Sequence, residues 1–407
     1  MVYAELDCRL GRPRFMNNLQ ELYNWAPALR VMLMGLIVAM GPLAWIWLRN
    51  RQASSAHRLR LLTMLTLFLT FDLVVFGAFT RLTDSGLGCP DWPGCYGFGS
   101  PVGAVEHISA AQQALPEGPV THSKAWIEMI HRYLATGVGV LILTMTLGGW
   151  LERRRTGVSP WWPTFTLVWV LLQGAFGAWT VTMKLFPLIV TGHLIGGLVL
   201  LVLLRIQSAR FAQAHEGQLP VAVSPGLRRL LWLAGGALAL QIALGGWVST
   251  NYAVLACTDF PLCHGSLWPH MDFAQGFSLW RELGMTRQGE YISFEALTAI
   301  HYAHRLFAYV ALTLLVLLAW RGWSDPGLGR SARLLAVITL MQAATGISNV
   351  VLDWPLLAAV LHTAGAAGLS LVLTGMLCTT SKTVPACQGI TPNIKKNGPA
   401  VGAGGLV

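Results

Sequence analysis

Apolar residues fall along the chain in long blocks, separated by short clusters rich in arginine, proline and glycine. Each block runs to about 20 residues, enough for a helix to cross the hydrocarbon core of a bilayer. The pattern predicts spans near 29–48, 60–80, 124–149, 162–184, 188–208, 228–250, 295–320, 330–351 and 355–377. Residues 1–28 are mixed and amphipathic, and their acidic residues suit neither a cleavable signal nor a transit peptide.

The charged residues between the blocks set an orientation. Arg49, Arg51, Arg58 and Arg60 lie between the first two blocks, and Arg153, Arg154 and Arg155 follow the third. Arg205, Arg210, Arg228 and Arg229 flank a later loop, Arg321, Arg330 and Arg333 another, and Lys382, Lys395 and Lys396 lie in the tail. All fall on one side of the spans, and an excess of arginine and lysine beside spans marks the cytoplasmic side. The opposite side receives the long loops 81–123 and 251–294, tight turns at Phe186-Pro187 and Asp353-Trp354-Pro355, and the N-terminus. Of the 407 residues only 11% are charged and 54% are hydrophobic, against about 25% charged in a soluble domain. The net charge of +10 would suit a nucleic-acid binder, but the basic residues sit beside the spans. Membrane lipid is therefore the expected surrounding, and nucleic acid is not a partner.

The second half of the chain restates the first. Gly77-Ala78-Phe79-Thr80 through Cys89-Pro90-Asp91-Trp92-Pro93-Gly94-Cys95 reappears as Gly245-Gly246-Trp247-Val248 through Cys257-Thr258-Asp259-Phe260-Pro261-Leu262-Cys263. The cysteines shift by 168 positions (257 − 89, 263 − 95), Gln173 and His193 to Gln342 and His362 by 169 (342 − 173, 362 − 193), and His131 to His304 by 173 (304 − 131). The expected fold is an all-α integral membrane protein with two pseudo-symmetric four-helix bundles, eight core spans, and an extra N-terminal span. Its parts are an N-terminal extension at 1–58, a first bundle at 59–210, a second at 226–378 and a flexible cytoplasmic tail at 379–407. Because each unit has an even number of spans, both face the membrane the same way, as parallel repeats do.

The repeat places chemistry inside the membrane. His131 with His193, and His304 with His362, lie on the second and fourth spans of their units, roughly 8–14 Å below the outer surface at 1.5 Å per residue. Two imidazoles at matched depth on facing helices form a cofactor site in a bundle core, and haem iron takes such axial ligands. Zinc is a poorer fit, since the spans supply no further ligands for a tetrahedral set. Glu128 stands three residues before His131, on a shared helix face, so both are expected to point into one cavity. The second unit has His301 at that place. An acid at membrane depth marks a functional site by default, and beside a histidine pair it suits proton transfer or stabilisation of positive charge. The asymmetry predicts a permanent haem in the second unit and a reacting group in the first.

Cys89–Cys95 and Cys257–Cys263 lie in outer loops, where oxidation to a disulfide is favoured. The second pair is read as a staple, whereas the first could also exchange thiol and disulfide near the site. Cys8, Cys378 and Cys387 carry no pattern. Arg81, at the outer end of its span, suits either a carboxylate such as a haem propionate or a helix anchor. His57, His107, His122, His215, His264 and His270 are expected in solvent.

The run Gly77-Ala-Phe-Thr-Arg-Leu-Thr-Asp-Ser-Gly-Leu-Gly-Cys-Pro-Asp-Trp-Pro-Gly-Cys95, with Glu-Met-Ile-His131-Arg and Thr-Gly-His193, resembles the haem A synthase family over about 60–377. That resemblance implies eight spans in two pseudo-symmetric halves, and oxidation of a methyl group of haem O to a formyl group, giving haem A for terminal oxidases. It implies haem b on His304 and His362, substrate haem at His131 and His193, Glu128 as the catalytic acid, and Cys89 and Cys95 in electron or haem handling. It implies a bacterial inner membrane with the active site toward the periplasm, a haem O synthase as supplier, and an electron partner whose identity the sequence leaves open, as it does self-association. The span at 29–48 departs from the family pattern. Three other classes compete: a bis-histidine di-haem electron carrier of the cytochrome b561 kind, a thiol-disulfide oxidoreductase, and a haem transporter or chaperone. The first leaves Glu128 unexplained, and the second leaves the histidines idle.

Overall fold

A computed structural model describes residues 25–215 and 217–381 of the chain. Cys8, Cys387, the three tail lysines, the first 24 residues of the N-terminal extension and most of the tail lie outside the described residues. The long helices are α1 (Ala26–Arg49), α2 (Ser55–Leu82), α3 (His122–Leu151), α4 (Trp161–Thr182), α5 (Pro187–His215), α6 (Pro225–Thr250), α7 (Phe294–Gly322), α8 (Gly329–Val351) and α9 (Leu356–Cys378). Among the described residues these nine are long and apolar enough to cross a membrane. The protein is a multi-pass, all-α membrane protein, and the span boundaries read from hydropathy agree to within a few residues, except that α5 runs seven residues further, to His215.

Local chemistry starts and stops these helices. Side-chain oxygens of Ser54, Thr121, Ser224 and Ser293 accept the amides of His57, Lys124, Leu227 and Ala296, satisfying first-turn donors. Within the spans, hydroxyls of Thr63, Thr66, Thr70 and Thr339 donate to the carbonyl four residues back, so these four are satisfied in an apolar setting.

Helices α2, α3, α4 and α5 pack as neighbours in sequence, with α5 returning to α2, and α6 to α9 do the same. Contacts between the two sets run from α9 to α2, from α9 to α5 and from α5 to α6. Small residues allow the closest approaches. A Cβ added at Gly196 would lie 1.9 Å from Gln173 Nε2, and one at Gly365 would lie 2.4 Å from Gln342 Oε1, so the repeated glutamines each press on a repeated glycine. Helix α1 stands beside the first set, mostly against α3. A Cβ at Gly35 would come 2.4 Å from Thr136 Cγ2, and Val31 is buried with Cys89, Cys95, Met129 and Tyr133. The extra span therefore covers the side of α3 that carries Met129, Tyr133 and Thr136.

Candidate functional site

The outer loops are built alike in both units. Asp91 accepts the amides of Tyr96 (2.6 Å) and Gly97 (2.7 Å), and Asp259 accepts those of His264 (2.8 Å) and Gly265 (2.9 Å). The Gly265 amide, then that of His264, hold the Asp259 carboxyl below the usual carboxylate range. Each turn is closed by a disulfide, Cys89–Cys95 and Cys257–Cys263, as the paired cysteines predict. The disulfides are pinned to the histidine helices by an arginine that the motif reading did not single out. Arg132 donates to the carbonyls of Asp91 (3.0 Å), Pro93 (3.2 Å) and Gly94, and Arg305 to those of Asp259 (3.0 Å), Leu262 (2.7 Å) and Cys257 (3.2 Å). The signal was available: each arginine directly follows a repeated histidine.

Glu128 is placed differently from the expectation of a cavity shared with His131. It is 4% exposed, its Oε1 is paired with Arg132, and its Oε2 accepts the Cys89 amide at 2.7 Å. Helical rotation explains the choice: Arg132 lies about 40° from Glu128 round α3, His131 about 60° away on the other side. The carboxylate thus sits at the seam between histidine face and disulfide loop, turned toward the loop. In the second unit His301 bonds through Nδ1 to the Ala253 carbonyl at 3.0 Å. An acceptor for a backbone amide has been exchanged there for a partner of a backbone carbonyl.

Gly88 makes the approach to Glu128 feasible, because a Cβ there would lie 2.4 Å from the Lys124 carbonyl carbon. Backbone cannot yield as a flexible side chain would. Gly88→Ala is expected to cost about 1–3 kcal/mol by overpacking, lowering the melting temperature of the purified protein and reducing product formation. An unchanged melting temperature with unchanged product would remove this role.

The four histidines each face a glycine of the neighbouring helix. A Cβ at Gly77 would lie 3.0 Å from His131 Nε2, at Gly177 3.5 Å from His193 Cε1, at Gly245 2.8 Å from His304 Cε1, and at Gly346 3.3 Å from His362 Cε1. They enter α3, α5, α7 and α9 six to ten residues from the outer end, roughly 9–15 Å along the axis. His193 lies within electrostatic reach of His131, and His362 of His304. The site fits haem on two counts: glycines leave space that a Cβ would fill, and His193 Nδ1 is buried without a hydrogen-bond partner. A porphyrin supplies four ligands itself and asks only for an axial pair.

Arg81 reaches across to the second unit. One nitrogen donates to the Ser249 carbonyl, its guanidinium lies 4.0 Å from the Tyr252 ring centroid, and Asp84 is 3.4 Å away. Tyr252 in turn donates to Asp84 at 2.8 Å. These contacts tie the end of α2 to the second unit. The sequence offers the second unit no arginine at the matching position, yet loop 251–293 folds Arg281 back onto Asn251 and the Trp247 ring. That placement depends on a loop path, which spacing does not reveal. Of the histidines expected in solvent, His57, His107, His215, His264 and His270 are exposed, while His122 is half-buried against Ser109 at 2.9 Å.

Fold and site together define a multi-pass membrane protein with two intramembrane histidine pairs beneath disulfide-closed loops. Residues 60–374 match the model of the COX15-CtaA family, cytochrome oxidase assembly protein, and the chain belongs to that family. It is similar to a Heme A synthase of Shewanella oneidensis, 40% identical over 318 residues covering 77% of this chain and 93% of that protein. It is also similar to a Heme A synthase of Brucella ovis, 29% identical over 301 residues, 70% of this chain and 81% of that one. Membership sets aside the cytochrome b561 alternative.

Proposed function

We propose that the protein is a haem A synthase that oxidises a methyl group of haem O to a formyl group, supplying haem A to terminal oxidases. The observation that carries this reading is the asymmetry between otherwise repeated pockets. Both units hold a histidine pair facing glycines, but among the described residues only the first has a buried carboxylate beside it. His131 and His193 flank the substrate haem and fix the ring that carries the methyl group. Glu128, released toward the histidine face, holds a proton or balances positive charge at the methyl carbon. The oxidation is two successive hydroxylations of that carbon, after which the gem-diol loses water to the aldehyde. The carbon gives up four electrons and keeps one oxygen atom, either with water supplying the oxygen and an external acceptor taking the four electrons, or with two O2 molecules supplying the oxygen and an external donor giving four electrons to complete their reduction to water. His304 and His362 would hold haem b, which supplies electron transfer to the first site. Cys89–Cys95, joined to Glu128 through the Cys89 amide, would couple thiol-disulfide exchange to that site. The protein sits in the bacterial inner membrane with both pockets near the periplasmic face, receiving haem O from a haem O synthase.

Expression with a haem O source, followed by extraction and mass identification of haems, tests the reading. Haem A is the expected product; recovery of unchanged haem O alone overturns it in favour of a carrier or chaperone.

A further inference from the structure

The surroundings of the four histidines differ between the units at positions the repeat makes equivalent. In the second unit, Gln241 on α6 places Nε2 3.0 Å from His304 Nδ1, and Thr345 on α8 places Oγ1 3.0 Å from His362 Nδ1. The offsets of 168 and 169 pair Gln241 with Leu73 and Thr345 with Phe176 (241 − 168, 345 − 169). Leu73 packs into an apolar cluster with Ile142 and Leu200, and Phe176 lies against Gly192, its Cε1 3.0 Å from where a Cβ would stand. Neither can hydrogen-bond. His193 Nδ1 is accordingly buried without a partner, and His131 has the Phe76 ring stacked beside it, 6.3 Å between centroids.

We propose that Gln241 and Thr345 are positioning residues that lock His304 and His362 as permanent haem ligands, and that Leu73 and Phe176 keep His131 and His193 releasable. The inference rests on the haem reading above. An imidazole bound to iron through Nε2 carries its proton on Nδ1, and that proton needs an acceptor in a dry interior. The Thr345 hydroxyl supplies one. Gln241 supplies the other after a half-turn of its amide, whose Oε1 is buried with no partner as it stands. Such a bond fixes the ring and makes the bound nitrogen more basic, so removing it typically costs 10–100-fold in metal affinity. Retention suits a resident cofactor. A substrate pocket has to let its product go on every turnover, so the same hydrogen bonds would oppose it there.

The test uses the purified full-length protein, following haem transfer to excess apomyoglobin and the midpoint potential of the bound haem. Gln241→Leu and Thr345→Val should each speed haem loss from the second unit about 10–100-fold and raise its potential, because a less basic ligand stabilises ferric iron less. Thr345→Ser should restore both values. Phe176→Thr, which copies the second unit into the first, should slow departure of haem from the first unit and remains informative if Thr345→Val fails to fold. Unchanged loss rates and potentials in Gln241→Leu and Thr345→Val, with wild type showing a low-spin bis-histidine haem, overturn this proposal alone. Wild type lacking that spectrum overturns the haem reading beneath it as well.

Discussion

Glu128→His, which copies the second unit into the first, is expected to abolish haem A formation while leaving a folded protein with its second-unit haem in place. Loss of a positioned proton donor or acceptor costs about 10²–10⁴-fold, so product should fall by that factor or more. The obvious objection is structural. Glu128 is paired with a buried arginine, and deleting one member of such a pair often costs about 3–5 kcal/mol. The molecule itself answers that objection. Arg305 is 7% exposed and holds its loop through the carbonyls of Cys257, Asp259 and Leu262, with His301 standing where Arg132 has Glu128. The loop architecture therefore tolerates histidine at that place. A second variant, Glu128→Gln, keeps an oxygen that can accept the Cys89 amide but cannot ionise. Melting temperature and second-unit haem content should stay near wild type in at least one of the two. Normal haem A from either would end the chemical role of Glu128 and leave it a clamp on the disulfide loop.

What the sequence makes legible here, and what it hides, divides along physical lines. The spans are legible because burial in lipid demands long apolar blocks, and the repeat because ordered offsets survive in single letters. The histidine pairs follow from both. The direction of Glu128 was not legible: residues three apart share a face, but so do residues four apart, and Arg132 with the Cys89 amide wins the carboxylate. That competition needs the loop in place, and Gly88 is what brings the loop so near. Gln241 and Thr345 stood in plain view at fixed offsets, but their meaning appears only when their atoms are found 3.0 Å from ring nitrogens. The role of α1 was hidden too, since hydropathy announces a span without saying which neighbour it covers.

Removing one histidine at a time should split the two pockets. His304→Ala or His362→Ala is expected to weaken retention of the resident haem and to convert what remains from a low-spin bis-histidine to a high-spin spectrum, because a single remaining imidazole leaves one axial position empty. Those variants should also fail to make haem A, since the electron route to the first unit is gone. His131→Ala or His193→Ala should instead retain the resident haem with an unaltered low-spin spectrum and still make little or no haem A. The physical ground is the separation of the pairs. His131 and His193 belong to the ring of α2 to α5, His304 and His362 to that of α6 to α9, and each faces a glycine of its own ring. No ligand is shared between them, so stability of one pocket should not depend on the imidazoles of the other. Haem content per chain and the visible spectrum of each purified variant decide the matter. Loss of resident haem in His131→Ala equal to that in His304→Ala would mean that a single haem spans both units, or that the assignment of roles is reversed. An unaltered low-spin bis-histidine spectrum of the resident haem in both His304→Ala and His362→Ala would remove these residues as its ligands.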